Sequence, residues 1–230
     1  MIILLTILNN QQHMKDNKII ITNDGSHSIY SSKFKESYHS LNGSISESLH
    51  VFIKNGLKTV YKENINILEI GFGTGLNVLL TIIENKKKKL NFHTIEKYPI
   101  TKEIYEKLNY SEKLKIKENI LIDLHEKSWN QPHDINRHFT FYKHLVSVQK
   151  LSINLRFDII YYDAFSPRKD NEMWSYKILT KMFNLLQYNG FLVTYCAQGE
   201  VKRILKKIGF KVETLKGPLS KREMVKAIRI

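Results

Sequence analysis

Cysteine is almost absent: one thiol, Cys196, in 230 residues. A lone cysteine excludes an intramolecular disulfide and a cysteine-ligated zinc cluster, and it suits a reducing compartment. Glycine and proline are also sparse, at 10 and 4 residues, which excludes collagen-like and mucin-like chains. No apolar run is long enough to cross a bilayer. The longest, Met1 to Leu8 with Thr6 interrupting it, also lacks the basic flank and cleavage site of a secretory signal. We expect a cytoplasmic protein with no membrane partner.

Acidic residues are the last shortage, 22 against 36 basic ones, for a formal net charge of +14. A field of that sign attracts polyanions. Thirty of the basic residues are lysine in a chain rich in Ile and Asn, a bias that compositional drift also produces. The distribution favours selection, because residues 201–230 hold ten Lys/Arg against two Glu. Hydrophobic residues at 42% and aromatics at 11% are enough for a real core, and the length fits one α/β domain with a modest extension.

Ile19–Thr22 and Ser28–Tyr30 flank Asn23-Asp24-Gly25 and read as a hairpin. Ser44–Asn55 reads as a helix, with Ser44 as its cap, Glu47 completing a capping box and Gly56 as its stop. Ile65–Ile70 is an apolar strand without alternation, as for a strand covered on both faces. It runs into Gly71-Phe72-Gly73-Thr74-Gly75 and an apolar helix, Leu76–Glu84.

Further strands are expected at Leu90–Ile95, Phe157–Tyr162, Phe191–Cys196, Phe210–Leu215 and Glu223–Ile230, and a weaker one within Phe139–Val148. Helices are expected at Thr101–Leu108, Ser111–Asp123, Trp174–Leu186 (closed by Asn189-Gly190) and Glu200–Ile208. Alternating strand and helix predicts a doubly wound, mostly parallel sheet, antiparallel at its end.

Ligands of such sheets bind beyond the carboxyl ends of the strands. The glycine loop has the spacing Gly-x-Gly-x-Gly, with Leu76 where a dinucleotide fingerprint places its third glycine. That pattern suits the adenosine and methionine parts of S-adenosylmethionine better than a diphosphate. Glu96, 21 residues beyond Gly75 at the end of the next strand, is placed to accept two ribose hydroxyls. Glu69, just before the loop, is near the methionine end or simply orders the turn.

Asp163-Ala164-Phe165-Ser166-Pro167 emerges at the same rim, where the Asp163 carboxylate can position an amine and take its excess proton. Phe165 and Trp174 can stack on a base or belong to the core. Lys216–Arg222 is a basic turn that can track a phosphate backbone or simply be solvated. The nine histidines show no ligand spacing, so no metal is expected.

These motifs resemble the stand-alone form of the MnmC methyltransferase domain, over roughly residues 19–230. The resemblance rests on Asp24-Gly25-Ser26, Tyr38-His39-Ser40, Glu47 to Phe52, Gly71 to Asn77, Glu96 to Pro99, Asp163 to Pro167, Met173-Trp174 and Lys221 to Met224. It implies a Rossmann-like class I fold, seven-stranded with an antiparallel last strand. It makes residues 1–56 an N-terminal extension on a methyltransferase domain at 57–230. The implied activity is S-adenosylmethionine-dependent methylation of 5-aminomethyl-2-thiouridine at the tRNA wobble position.

By that resemblance Glu69, Gly71, Phe72, Gly73, Thr74, Gly75 and Glu96 hold the cofactor, and Tyr38 and Glu47 close over its methionine end. Asp163 faces the amine, Phe165 and Pro167 lie on the substrate side, and Lys221 and Arg222 lie near tRNA. Family members commonly carry Gly-Asp after the third strand for adenine, and residues 139–151 have no such pair. The FAD-dependent oxidase half is not expected on this chain, and the first ten residues match nothing. Methylation of another amine, aminopropyl transfer and a non-catalytic RNA-binding role are the competing readings.

Overall fold

The structure is a computed structural model and describes residues 17–85, 87–117, 119–218 and 221–230. The apolar run Met1–Leu8, the unmatched first ten residues and the start of the expected extension lie outside the described residues.

Chain order is β1 (Lys18–Ile21), β2 (His27–Ser31), β3 (Glu36–Ser37), α1 (Ser44–Ser48), a π-helical turn (Leu49–Lys54), β4 (Asn64–Ile70) and α2 (Leu76–Glu84). It continues through β5 (Lys89–Glu96), α3 (Lys102–Tyr105), α4 (Tyr110–Leu114), α5 (Asn119–Glu126), β6 (Pro132–Asn136), β7 (Phe139–Leu145) and β8 (Phe157–Tyr162). The last elements are α6 (Tyr176–Leu185), β9 (Leu186–Thr194), α7 (Gly199–Ile208), β10 (Phe210–Lys216) and β11 (Glu223–Arg229).

The main sheet has eight strands in the order β10-β11-β9-β8-β4-β5-β7-β6, not seven. β4 pairs in parallel with both β5 and β8, and β11 runs antiparallel to β9 and β10. The additional strand is β6, antiparallel to β7 at the sheet edge. Its sequence, Pro-His-Asp-Ile-Asn, is polar because an edge strand faces solvent, so it carries little hydrophobic signal.

β4 sits at the centre because its side chains can be buried on both faces. Ile65 and Ile67 enter the apolar layer that holds Phe92, Phe141 and Tyr161, while Leu68 and Ile70 enter the layer that holds Trp174, Leu179 and Leu192. The N-terminal β1-β2-β3 sheet and the following helix pack on the first layer through Ile29, Val51 and Phe52.

Three local expectations change. The α1 N-terminus is not capped by Ser44, whose hydroxyl donates to His27 O, and Glu47 makes no capping box. Asp24 caps it from the hairpin turn, its Oδ2 accepting from Ser46 N at 3.0 Å and Ser46 Oγ at 2.8 Å. The Ser111–Asp123 helix is broken into α4 and α5, with Lys115 left-handed between them at φ 54°. Asn189-Gly190 does not follow the helix as a stop. β9 starts at Leu186, paired with Phe157, and the two residues sit in an irregular stretch of the strand, Asn189 at φ 62°. Gly56 does follow the helix end, and a Cβ there would clash with Phe52 O.

Phe92 is fully buried among Phe139, Phe141 and Tyr161. Phe92→Ala is expected to cost about 3–5 kcal/mol in denaturant unfolding. Tyr61→Ala, at a side chain 95% exposed, should stay within about 0.5 kcal/mol.

Candidate active site

The parallel register brings three segments to one rim. Gly71 N and Phe72 N both donate to Ile95 O, at 3.0 and 3.1 Å, and Asp163 N donates to Ile70 O at 3.3 Å. The glycine loop, the end of β5 and the start of the Asp163 segment therefore share one edge, at the point where the chain leaves β4 in opposite directions. Side chains alternate along a strand. Glu69 stands in register with Thr94 and Tyr161, so Glu69, Glu96 and Asp163 all project toward the face covered by α2.

A cleft of about 280 Å³ opens at this rim. Gly71, Gly73 and Gly75 hold φ of 93°, 50° and 74°, a backbone that other residues adopt only with strain. A Cβ on Gly73 would also press on the Tyr38 ring at 3.1 Å. Glu96 is clamped to the loop, its Oε2 accepting from Gly73 N at 3.0 Å and its Oε1 from Tyr98 N at 2.7 Å. Burial raises its pKa, and these backbone bonds work against the rise. The Glu96 carboxylate is an acceptor, and the lone-pair capacity these bonds leave can accept from ribose hydroxyls.

Asp163 accepts from Asn77 Nδ2 at 2.8 Å through Oδ2, which leaves Oδ1 without a protein donor among the described residues. Burial pushes its carboxyl up to about 7. The Asn77 bond pulls it down, the Glu47 charge adds to the rise, and Lys221 opposes it. A carboxyl poised near neutrality suits proton exchange with an amine. Asn77, on the second position of α2, carried no expected role. Its signal was a single amide in an otherwise apolar helix start.

Thr74 belongs to the cleft lining, but its hydroxyl is turned to His39 Nε2 at 2.8 Å and its carbonyl to His125 Nε2 at 3.1 Å. Burial pushes both histidines down to about 4, so at neutral pH they brace the loop as uncharged rings. Phe72 lines the cleft, with its ring packed on His125, Trp129 and Phe141. Tyr38 leans on Gly73 and meets Phe165 edge-on at 5.1 Å.

Some expected site residues lie elsewhere. Glu69 is fully buried beneath the loop and is absent from the cleft lining. Glu47 is also buried outside it, paired with Lys221 Nζ at 2.6 Å. Lys221 is thus turned inward, over the Tyr195 ring at 4.2 Å, while Arg222 beside it is exposed. Phe165 cannot offer both ring faces to a base, because Phe34 stacks on it at 4.2 Å. Trp174 is core, its Nε1 donating to Phe165 O at 2.7 Å. Pro167 is partly buried and lines neither the cleft nor the neighbouring hollow. That hollow, about 560 Å³ and more open, is lined by Ser166, Tyr195, Cys196, Gln198, Lys221 and Arg222.

A family model described as S-adenosyl-L-methionine-dependent methyltransferase matches residues 85–230. The chain is 31% identical, over 90% of its length, to the tRNA 5-methylaminomethyl-2-thiouridine biosynthesis bifunctional protein MnmC of Cupriavidus metallidurans. It is 33% identical, over 85% of its length, to the protein of that name from Leptospira interrogans. The chain spans 33% of each of these curated relatives. Among solved structures, MnmC2 from Aquifex aeolicus superposes with a TM-score of 0.71 at 25% identity, covering 92% of this chain and 69% of that one. An amino pentose methyltransferase from Micromonospora echinaspora, CalS10 with S-adenosylmethionine bound, shares the fold at a TM-score of 0.51 and 12% identity, covering 82% of this chain and 92% of that one.

The raised pKa of Asp163 has a consequence for stability. The unfolded carboxyl ionises near 3.8 and the folded one near 7, so the folded state binds the extra proton between those values and loses stability as pH rises through them. Asp163→Asn removes that loss. Its melting temperature should exceed that of the parent by a margin that widens from about pH 4 to about pH 7 and then levels off, read by thermal scans across that range.

Proposed function

This chain belongs to the S-adenosyl-L-methionine-dependent methyltransferase family, and we propose that it N-methylates 5-aminomethyl-2-thiouridine at the tRNA wobble position to give 5-methylaminomethyl-2-thiouridine. The observation that carries this reading is Asp163, a carboxyl poised near neutrality at the rim it shares with the glycine loop and Glu96. The likeness to the MnmC relatives supplies the substrate, and the excess of basic side chains in residues 201–230 suits a polyanion. The setting we read for it is the cytoplasm. No helix among the described residues is long and apolar enough to cross a membrane.

The cofactor fits the cleft. Glu96 would hold the ribose hydroxyls, and the Gly71–Gly75 turn would let the backbone approach closely. When bound, S-adenosylmethionine supplies an activated methyl on a sulfonium. The protein's work is then positional. Asn77 occupies Asp163 Oδ2, so Oδ1 is left to accept a proton from the aminomethyl nitrogen. An alkylammonium has no lone pair, so this transfer makes the nitrogen nucleophilic, and the bond that remains directs it. A carboxyl near 7 is a better match to an ammonium than a solvated carboxylate at its ordinary value.

Incubation with labelled cofactor and tRNA from cells blocked at the aminomethyl stage, followed by nucleoside mass spectrometry, tests the reading. Label appearing in 5-methylaminomethyl-2-thiouridine supports it, and label absent from that nucleoside overturns it. Asp163→Ala should lower turnover by about 100-fold or more while calorimetric cofactor affinity stays within a few-fold. Glu96→Ala should weaken cofactor binding by about tenfold or more. Arg222 is an exposed cation of the turn, so Arg222→Glu should weaken tRNA binding and flatten its salt dependence by about one unit or more in log–log slope. Unchanged binding at moderate salt would remove that residue from the interface.

A further inference from the structure

Lys143 is fully buried on β7, between β5 and the edge strand β6. It is in register with Thr94 of β5, so its side chain enters the side of the sheet covered by α2. Glu69 and Glu96 project to the same side, yet no ion pair among the described residues includes Lys143.

The ammonium is surrounded instead by a carbonyl and two rings. Nζ donates to His125 O at 2.7 Å, and it lies 4.4 Å from the centre of the Trp129 ring and 5.5 Å from that of Phe72. Aromatic faces attract a cation, and more strongly away from water. His125 is in the last turn of α5, where carbonyls lack helical partners and carry the negative end of the dipole. The Lys143 carbonyl in turn accepts from Asn130 N at 2.7 Å. One residue therefore holds both ends of the segment 125–130, and Trp129 covers the ammonium between them.

The same segment supports the glycine turn. His125 Nε2 donates to Thr74 O at 3.1 Å, and its ring packs on Phe72 at 4.7 Å. A Cβ on Gly75 would stand 3.1 Å from His125 Nε2 and 3.2 Å from Leu121 Cδ1, so α5 bears directly on the turn. Phe72 and Thr74 both line the cleft.

We propose that Lys143 is a positioning residue for the cofactor: its ammonium, held between His125 O and the faces of Trp129 and Phe72, fixes the end of α5 beneath the glycine turn and so sets how the turn meets S-adenosylmethionine. This role is independent of which nucleoside is methylated. Stability alone does not account for the residue, because a buried ammonium without a counter-ion opposes folding and an apolar side chain of similar length would fill the space without that penalty. Burial pulls Lys143 down to about 8. Around it, burial pushes His125 down to about 4 and raises Glu69 and Glu96, and Tyr105, stacked on His125 at 4.5 Å, is raised as well.

Calorimetric titration with adenosylhomocysteine, run beside urea unfolding, tests the proposal. Lys143→Met should bind about tenfold more weakly at neutral pH while unfolding at the same or a higher urea concentration. Affinity within about twofold of the parent overturns the proposal. So does a loss of affinity matched by a lower urea midpoint, the mark of a merely structural residue. The parent's advantage over Lys143→Met should shrink between about pH 7 and about pH 9.5 as the ammonium loses its proton, and an advantage that stays constant would contradict a role for the charge.

If Lys143→Met does not fold, Trp129→Leu, at a partly buried side chain, serves instead. It should weaken binding by about threefold or more, and unchanged affinity contradicts the contact. Where both variants fold, the double variant should lose clearly less than the product of the two single factors, and a full product would overturn a shared action. If cofactor binding responds as expected and no tRNA is methylated, the role of Lys143 stands and the tRNA reading falls.

Discussion

The site depends on a backbone constraint, the parallel register of β4 between β5 and β8. Gly71 and Phe72 hang from Ile95 O, and Asp163 hangs from Ile70 O. With those bonds made, the glycine turn, Glu96 and Asp163 have no freedom to separate. Because side chains alternate along each strand, the same register sends Glu69, Glu96 and Asp163 to the side covered by α2. A slip of one residue in any of the three strands would turn its carboxyl to the opposite layer, among Leu68, Ile160 and Trp174.

Four carboxyls near one another in a strongly basic chain are kept apart in role by their surroundings. Glu47 is neutralised by Lys221 at 2.6 Å. Glu96 is clamped by two backbone N–H groups, a fixed donor pair that favours its charge. Glu69 meets no cation among the described residues, and burial raises its pKa well above the ordinary carboxylate range. Asp163 lies between these extremes, held by one neutral amide and left near 7. The differences come from what each oxygen touches.

The strand–loop–helix at Ile65–Glu84 was legible because a strand buried on both faces has an unbroken apolar run and a glycine turn marks its end. Glu96 and Asp163 followed from their places at the ends of apolar strands. What escaped was long-range or edge-like. The Lys221–Glu47 pair joins residues 174 apart in sequence, so Lys221 read as a free cation and Glu47 as half of a capping box. Asp24 displaced Ser44 as the α1 cap for the same reason, across 22 residues. β6 was missed because a solvent-facing edge strand has no hydrophobic periodicity, and Asn77 because one amide beside a glycine loop looks like part of the turn.

The central claim is geometric: the rim that holds Glu96 also presents Asp163 Oδ1 to the methyl-donating centre. A crystal structure with adenosylhomocysteine bound tests it most directly. The account predicts ribose hydroxyls on Glu96 and the sulfur turned toward Asp163, with open space for an aminomethyl group between them. A sulfur turned away from Asp163, or protein filling that space, would contradict it.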